Sequence, residues 1–289
     1  MNISALLRFF YIVLSLALGV GLTTASVLGL VELLGGDSGA SDAAPPFSLS
    51  SYVYTPIIAI IVLVSATAAM KNLWQALALL CWFLLGGAAL DALYVVWLLI
   101  RHGIMPDTVD DAFAVIWALF PVLGLWLAAR ARPVEIQDSA PPSISAQERI
   151  RLRNTLIGVA AVSYFWRAIV VAFNPGMTFA IAYLRGMTDI YGPEQVTLSG
   201  ALGAVAAIAL LVCVVMPSKK TEGIMHATLA FTAGFAFEGF LDTLDYAFWF
   251  GSPRELTSSL QDTVAFIACC AALALSVQST KISSRGTAA

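Results

Sequence analysis

Long apolar runs broken by short polar stretches set the pattern of this chain. Eight runs are long enough to cross roughly 30 Å of hydrocarbon as helices rising about 1.5 Å per residue. They fall at about residues 7–34, 52–70, 73–100, 112–130, 152–173, 196–216, 223–250 and 260–279. The predicted fold class is all-α, a polytopic membrane protein with eight transmembrane helices. The first run is about twenty-six residues from Phe9, against roughly 7–15 for the apolar part of a signal peptide, so it reads as a retained span. Pro121 should kink the fourth span. The long break at 174–195 contains the apolar stretch Met177 to Leu184, which predicts a short helix or re-entrant turn at the membrane interface.

Composition agrees with this pattern. The 289 residues are 60% hydrophobic and 11% charged, with a mean hydropathy of +0.87. A soluble domain carries roughly a quarter charged residues. No basic stripe with interleaved aromatics points to nucleic acid. The net charge of −3 hides a segregation. With the N-terminus in the cytoplasm, Arg8, Lys71, Arg130, Arg132, Arg149, Arg151, Arg153, Lys219, Lys220, Lys281 and Arg285 all face in. Only Arg101, Arg185 and Arg254 face out. That bias predicts both termini in the cytoplasm; the expected location is the cell inner, or plasma, membrane.

The halves follow one scheme. Residues 1–132 are a predicted first four-helix membrane repeat and 133–148 a Pro- and Ser-rich cytoplasmic linker. Residues 149–281 are a second four-helix repeat and 282–289 a short tail. Sliding the chain by 151 residues lays Leu90-Asp91-Ala92-Leu93 on Leu241-Asp242-Thr243-Leu244, and Asp111 on Asp262. Four spans per half is even, so the repeats would be parallel, a 4+4 arrangement about an axis along the membrane normal.

Chemistry concentrates where charge enters the apolar runs, because an ionisable group at membrane depth costs roughly 2.5–3.5 kcal/mol on insertion scales. Glu238, Asp242 and Asp245 recur at i, i+4 and i+7, one face of a helix. Asp91 lies in the third span as Asp242 lies in the seventh, with Tyr94, Tyr246 and Asp245 about one turn away. These five residues, Asp91, Asp242, Asp245, Tyr94 and Tyr246, form the predicted binding site. Arg167 and Glu238 fall at similar depth in spans five and seven and predict an intramembrane ion pair. Gly86-Gly87, Gly234 and Gly239 read as sites of close helix packing.

His102 and His226 belong to opposite membrane faces, and the four cysteines are scattered, so no metal site is predicted. No catalytic motif, Walker loop or dinucleotide loop occurs, and no cofactor is implied. Three functions fit. One is a small-molecule or ion transporter or permease with an acidic site between spans 3 and 7, taking a cation, a proton or a small molecule. A second is a non-catalytic membrane subunit or scaffold with the lipid bilayer as surroundings. The third is an intramembrane lipid hydrolase using an Asp pair. The chain is more in keeping with a non-enzyme.

Overall fold

A bilayer offers no water to backbone groups, so an apolar segment there must satisfy each N–H within itself, which a helix does. The computed structural model describes residues 3–34, 49–102, 109–131, 144–173, 193–215, 219–245 and 253–286. These residues form eight helices and no strand. In order they are α1 (Ile3–Leu34), α2 (Leu49–Met70), α3 (Trp74–His102), α4 (Val109–Arg130), α5 (Ile144–Phe173), α6 (Pro193–Val215), α7 (Lys219–Asp245) and α8 (Pro253–Gly286).

Among the described residues, four stretches are long and apolar enough to cross a membrane: Ala5–Leu28, Val53–Met70, Trp74–Trp97 and Glu222–Leu241. Shorter apolar stretches, Trp117–Arg130, Gly200–Val215 and Leu260–Ser276, lie in α4, α6 and α8. In α5, Arg149, Arg151, Arg153 and Arg167 interrupt the apolar run. Phe9 and Val20 of α1 are 64% and 61% exposed, as are many large apolar side chains on the other helices. So much uncovered apolar surface is compatible with an integral membrane protein, whose outward side chains meet lipid.

Each predicted run falls on one helix, and the differences lie at the ends. Pro253-Arg254-Glu255, expected as a loop, is the first turn of α8. Proline has no N–H to lose there, and its fixed φ suits a helix start. The same helix continues to Gly286, through most of the expected tail. Helix α5 begins at Ile144, inside the expected linker. Helix α4 stays helical through Pro121, whose side chain is fully buried. The expected interfacial element before Pro193 and the residues from 246 to 250 lie outside the described residues.

Packing divides along the chain. Helix α1 lies on α2 and α3 on α4, while α5 lies on α6 and α8, and α7 on α8. One core gathers Tyr11, Val62, Leu77, Cys81, Phe120 and neighbours from α1 to α4, with Phe237 and Leu241 of α7. The other gathers Ile157, Tyr164, Leu210, Leu229, Cys269 and neighbours from α5 to α8. Each core is crossed by a buried tyrosine from its first helix. The Tyr11 hydroxyl donates to Ser65 Oγ of α2 at 3.0 Å and meets Cys81 Sγ of α3 at 3.3 Å. The Tyr164 hydroxyl donates to the Thr232 carbonyl of α7 at 2.5 Å. A buried phenol without such a partner would lose the water it had in the unfolded chain.

The two cores are joined where α3 crosses α7. A Cβ at Gly86 would run into the carbonyl oxygen of Phe231, and one at Gly234 into that of Phe83. The contact is reciprocal: Phe83-x-x-Gly86 on one helix, Phe231-x-x-Gly234 on the other. With backbone this close, only glycine fits at either position, as in membrane helix pairs built on small residues.

Candidate functional site

The crossing determines which polar residues share a neighbourhood. Gly87 stands beside the point of closest approach, its absent Cβ 3.6 Å from the Gly234 carbonyl oxygen. One helical turn beyond Gly87 on the same face is Asp91. One turn beyond Gly234 is Glu238. Both carboxylates are exposed. They stand on the faces that meet at the crossing, a turn beyond it.

At the base of this fork is a residue the sequence reading passed over. Tyr54, near the start of α2, packs its ring against Phe237 at a centroid distance of 5.8 Å. Its hydroxyl comes within 3.4 Å of where a Gly87 Cβ would be. The phenol is close enough to Glu238 and Asp91 for both carboxylates to act on it electrostatically. Three helices thus contribute: α2 the phenol, α3 one carboxylate and the glycine that admits the phenol, and α7 the second carboxylate. A phenol donates one hydrogen bond and accepts others, and ionised carboxylates accept only. Such a set can hold a small cation or relay a proton. Tyr54 near a span end resembles an interfacial aromatic. Only the packing of α2 against α7 brings it near the two carboxylates.

The remaining predicted residues are placed as follows. Tyr94 is in α3, one turn beyond Asp91, and half-buried. Asp242 and Asp245 are in the last turns of α7, their side chains outside the described residues, and Tyr246 is outside them altogether. Arg167 is in α5 with its side chain likewise outside them. The helices that carry Arg167 and Glu238 are in register, since Tyr164 and Phe235 stack at 5.9 Å and each charged residue follows three positions later. The face of Glu238 is also within reach of Tyr54.

No protein-family model, characterised protein or solved structure matches the chain. The function therefore rests on geometry. Among the described residues no three His, Cys, Asp or Glu side chains gather as metal ligands would. The cysteines are thiols: Cys81, Cys213 and Cys269 are buried and Cys270 is exposed. Cys81 Sγ sits where a side chain at Gly124 would go, and Cys269 Sγ meets Thr232 Oγ1 at 3.1 Å, so both serve packing.

At the basic end of the bundle, Arg153 of α5 faces Glu222 of α7 at 3.8 Å. His226, one turn into the same helix, has a buried Nε2 without a hydrogen-bond partner. In the first half, Arg8 donates to the Met70 carbonyl at 2.6 Å and lies 5.5 Å over the Trp74 ring. Both arrangements tie a first helix to its neighbours at the end where the basic residues collect.

Proposed function

We propose that the chain is an eight-span permease of the plasma membrane that moves a cation or a proton, bound in the fork above the α3–α7 crossing. Asp91 and Glu238 supply the negative charge and Tyr54 the hydrogen bond. One observation carries this reading: Tyr54 lies near two carboxylates, Asp91 and Glu238, that come from different halves of the chain. Ionisable side chains are costly at membrane depth and mark ion or proton paths. Asp242 and Asp245, further along the Glu238 face, would continue the acidic path outward. Tyr94 and Tyr246 would flank it, and Arg167 would balance Glu238.

The proposal includes a parallel 4+4 repeat with both termini in the cytoplasm. It is supported by the paired tyrosines, by the matched helix contacts and by the reciprocal Phe-x-x-Gly strings. The register these strings favour is 148 residues, which lays Phe83 on Phe231 and Gly86 on Gly234. The alignment of Asp91 with Asp242 needs 151, and the backbone approach at the glycines is the stronger constraint. A shift of three moves a helix by nearly one turn, so Asp91 and Asp242 remain on similar faces under either register.

The crossing itself favours a second reading. Backbone packed this closely suits a rigid strut, so a scaffold in which the charges only lock helices also fits. Purified protein in liposomes separates the two. With a pH-sensitive dye and ²²Na⁺ as probes, the permease predicts flux above protein-free liposomes, lowered at least tenfold by Asp91→Asn or Glu238→Gln. Absent flux, or flux in both variants equal to that of wild type, would overturn the permease and leave the scaffold.

A further inference from the structure

The two halves differ in how the first helix meets the fourth. Helix α5 packs along α8, whereas α1 touches α4 only briefly. Between α1 and α4 lies a cavity of about 300 Å³. Phe10, Leu14 and Leu18 form one wall, and Trp117, Phe120 and Leu123 the other. Along α1 this wall is roughly 12 Å long, from Phe10 to Leu18. The lining is apolar throughout except for the Trp117 indole N–H. Phe10 is 54% exposed, so the groove opens outward from the bundle.

The groove leads towards cations. Arg130 follows Leu123 by seven residues, two turns along the same face of α4, and lies 4.2 Å over the Trp126 ring. Arg8 precedes Phe10 on α1, and its guanidinium is held by Met70 and Trp74. Lys71 is exposed next to Met70. A guanidinium stacked on a ring keeps its N–H edge for a planar two-point bond to phosphate.

We infer that this groove holds one anionic phospholipid of the inner leaflet, an acyl chain between α1 and α4 and its phosphate at Arg130 and Arg8. The charge at one end and the apolar walls beyond match such a molecule along its length. Direct helix packing does the same work between α5 and α8. The inference rests on the membrane reading and is independent of transport.

Native mass spectrometry of protein released from nanodiscs of phosphatidylglycerol and phosphatidylcholine, mixed one to three, tests it. The wild-type chain should emerge with one phosphatidylglycerol bound. Leu14→Trp, which fills the groove, should emerge bare, and Leu123→Trp tests the same from the other wall should the first variant fail to fold. Arg130→Gln should keep a lipid but lose about fivefold in preference for phosphatidylglycerol, the effect of one basic residue at a headgroup. Bare wild-type protein overturns the inference. So does equal retention of both lipids by wild type, or unchanged retention in the folded groove-filling variants. Release of paired chains that Leu14→Trp converts to single ones would assign the groove to a second copy instead.

Discussion

The first four described helices and the last four share several packing features and differ in one. In each, a buried tyrosine of the first helix reaches the third helix. Tyr11 arrives at a thiol, Cys81, with Ser65 as acceptor; Tyr164 arrives at a backbone carbonyl, that of Thr232. In each, the fourth helix packs on the third. Only the second half closes its first helix onto its fourth along their length. A closed four-helix unit buries its small residues: Ala160, Ala207, Ala233, Ala265, Ala268 and Ala272 all lie in its core. The open half fills its centre with rings, and Tyr11 stacks on Phe120 at 5.1 Å. Small side chains let helices approach, while large ones hold them apart and leave grooves. The comparison teaches that four helices can pack as a sealed unit or leave a cleft, depending on where the bulk is placed.

The largest expected effect lies where the halves meet. Gly234→Leu and Gly86→Leu each force a side chain into opposing backbone, which cannot rotate away as a side chain can. Overpacking costs typically 1–3 kcal/mol, and a clash with backbone belongs at about the top of that range or above. Gly158 faces open space, so Gly158→Ala in α5 should be neutral or gain a few tenths of a kcal/mol from helix propensity. Thermal unfolding in detergent would show the contrast. Equal melting temperatures for Gly234→Leu and Gly158→Ala would show that the halves do not join through this crossing.

Next come the two tyrosines. Tyr11→Phe leaves the Ser65 hydroxyl and the Cys81 thiol without their phenol, and should cost about 1–2 kcal/mol. Tyr164→Phe removes one donor from a carbonyl that also belongs to a helix, so about 1 kcal/mol is expected. The first half should therefore suffer more. A larger loss for Tyr164→Phe would mean that the second core depends on its tyrosine beyond this one bond.

At the fork, stability and function should separate. Asp91 and Glu238 are exposed, and Asp91→Asn or Glu238→Gln keeps each shape while removing a charge. Removing a charge that is costly at membrane depth should leave stability unchanged or raise it. Cation or proton flux should fall as described above. A loss of several degrees in melting temperature with unchanged flux would turn these carboxylates into struts.

The sequence made part of this legible. Apolar length alone located the eight helices of the described residues, because hydrophobic runs in a chain this poor in charge have few other solutions. Glycines 86, 87 and 234 stood out as packing sites, and α3 and α7 do cross there. Asp91 and Glu238 were visible as charges in apolar surroundings. Tyr54 was not, because its importance comes from α2 leaning on α7, a contact between residues far apart in the chain that leaves no local pattern. The groove between α1 and α4 was equally hidden. Phe10, Leu14, Phe120 and Leu123 read as ordinary apolar positions, and a missing neighbour has no signature in composition.

The smallest predicted effect tests the comparison at the basic end. In the 148-residue register Glu222 falls on Trp74, so each half would use one position of its third helix to receive an arginine from its first. The second half makes an ion pair, Arg153 to Glu222 at 3.8 Å; the first stacks Arg8 over Trp74 at 5.5 Å. Arg153 is 15% exposed and Glu222 43%, so water screens most of the attraction. A double-mutant cycle of Arg153→Gln and Glu222→Gln should give a coupling of about 0.3–0.5 kcal/mol. That coupling should fade in 1 M salt, where the screening length is about 3 Å. The cycle of Arg8→Gln and Trp74→Leu should give about 0.5–1 kcal/mol, as an exposed cation over a ring does. It should respond less to salt, because part of it is ring contact. If both couplings collapsed equally in salt, the two fastenings would be the same kind of interaction, and the difference between the halves would end at the groove.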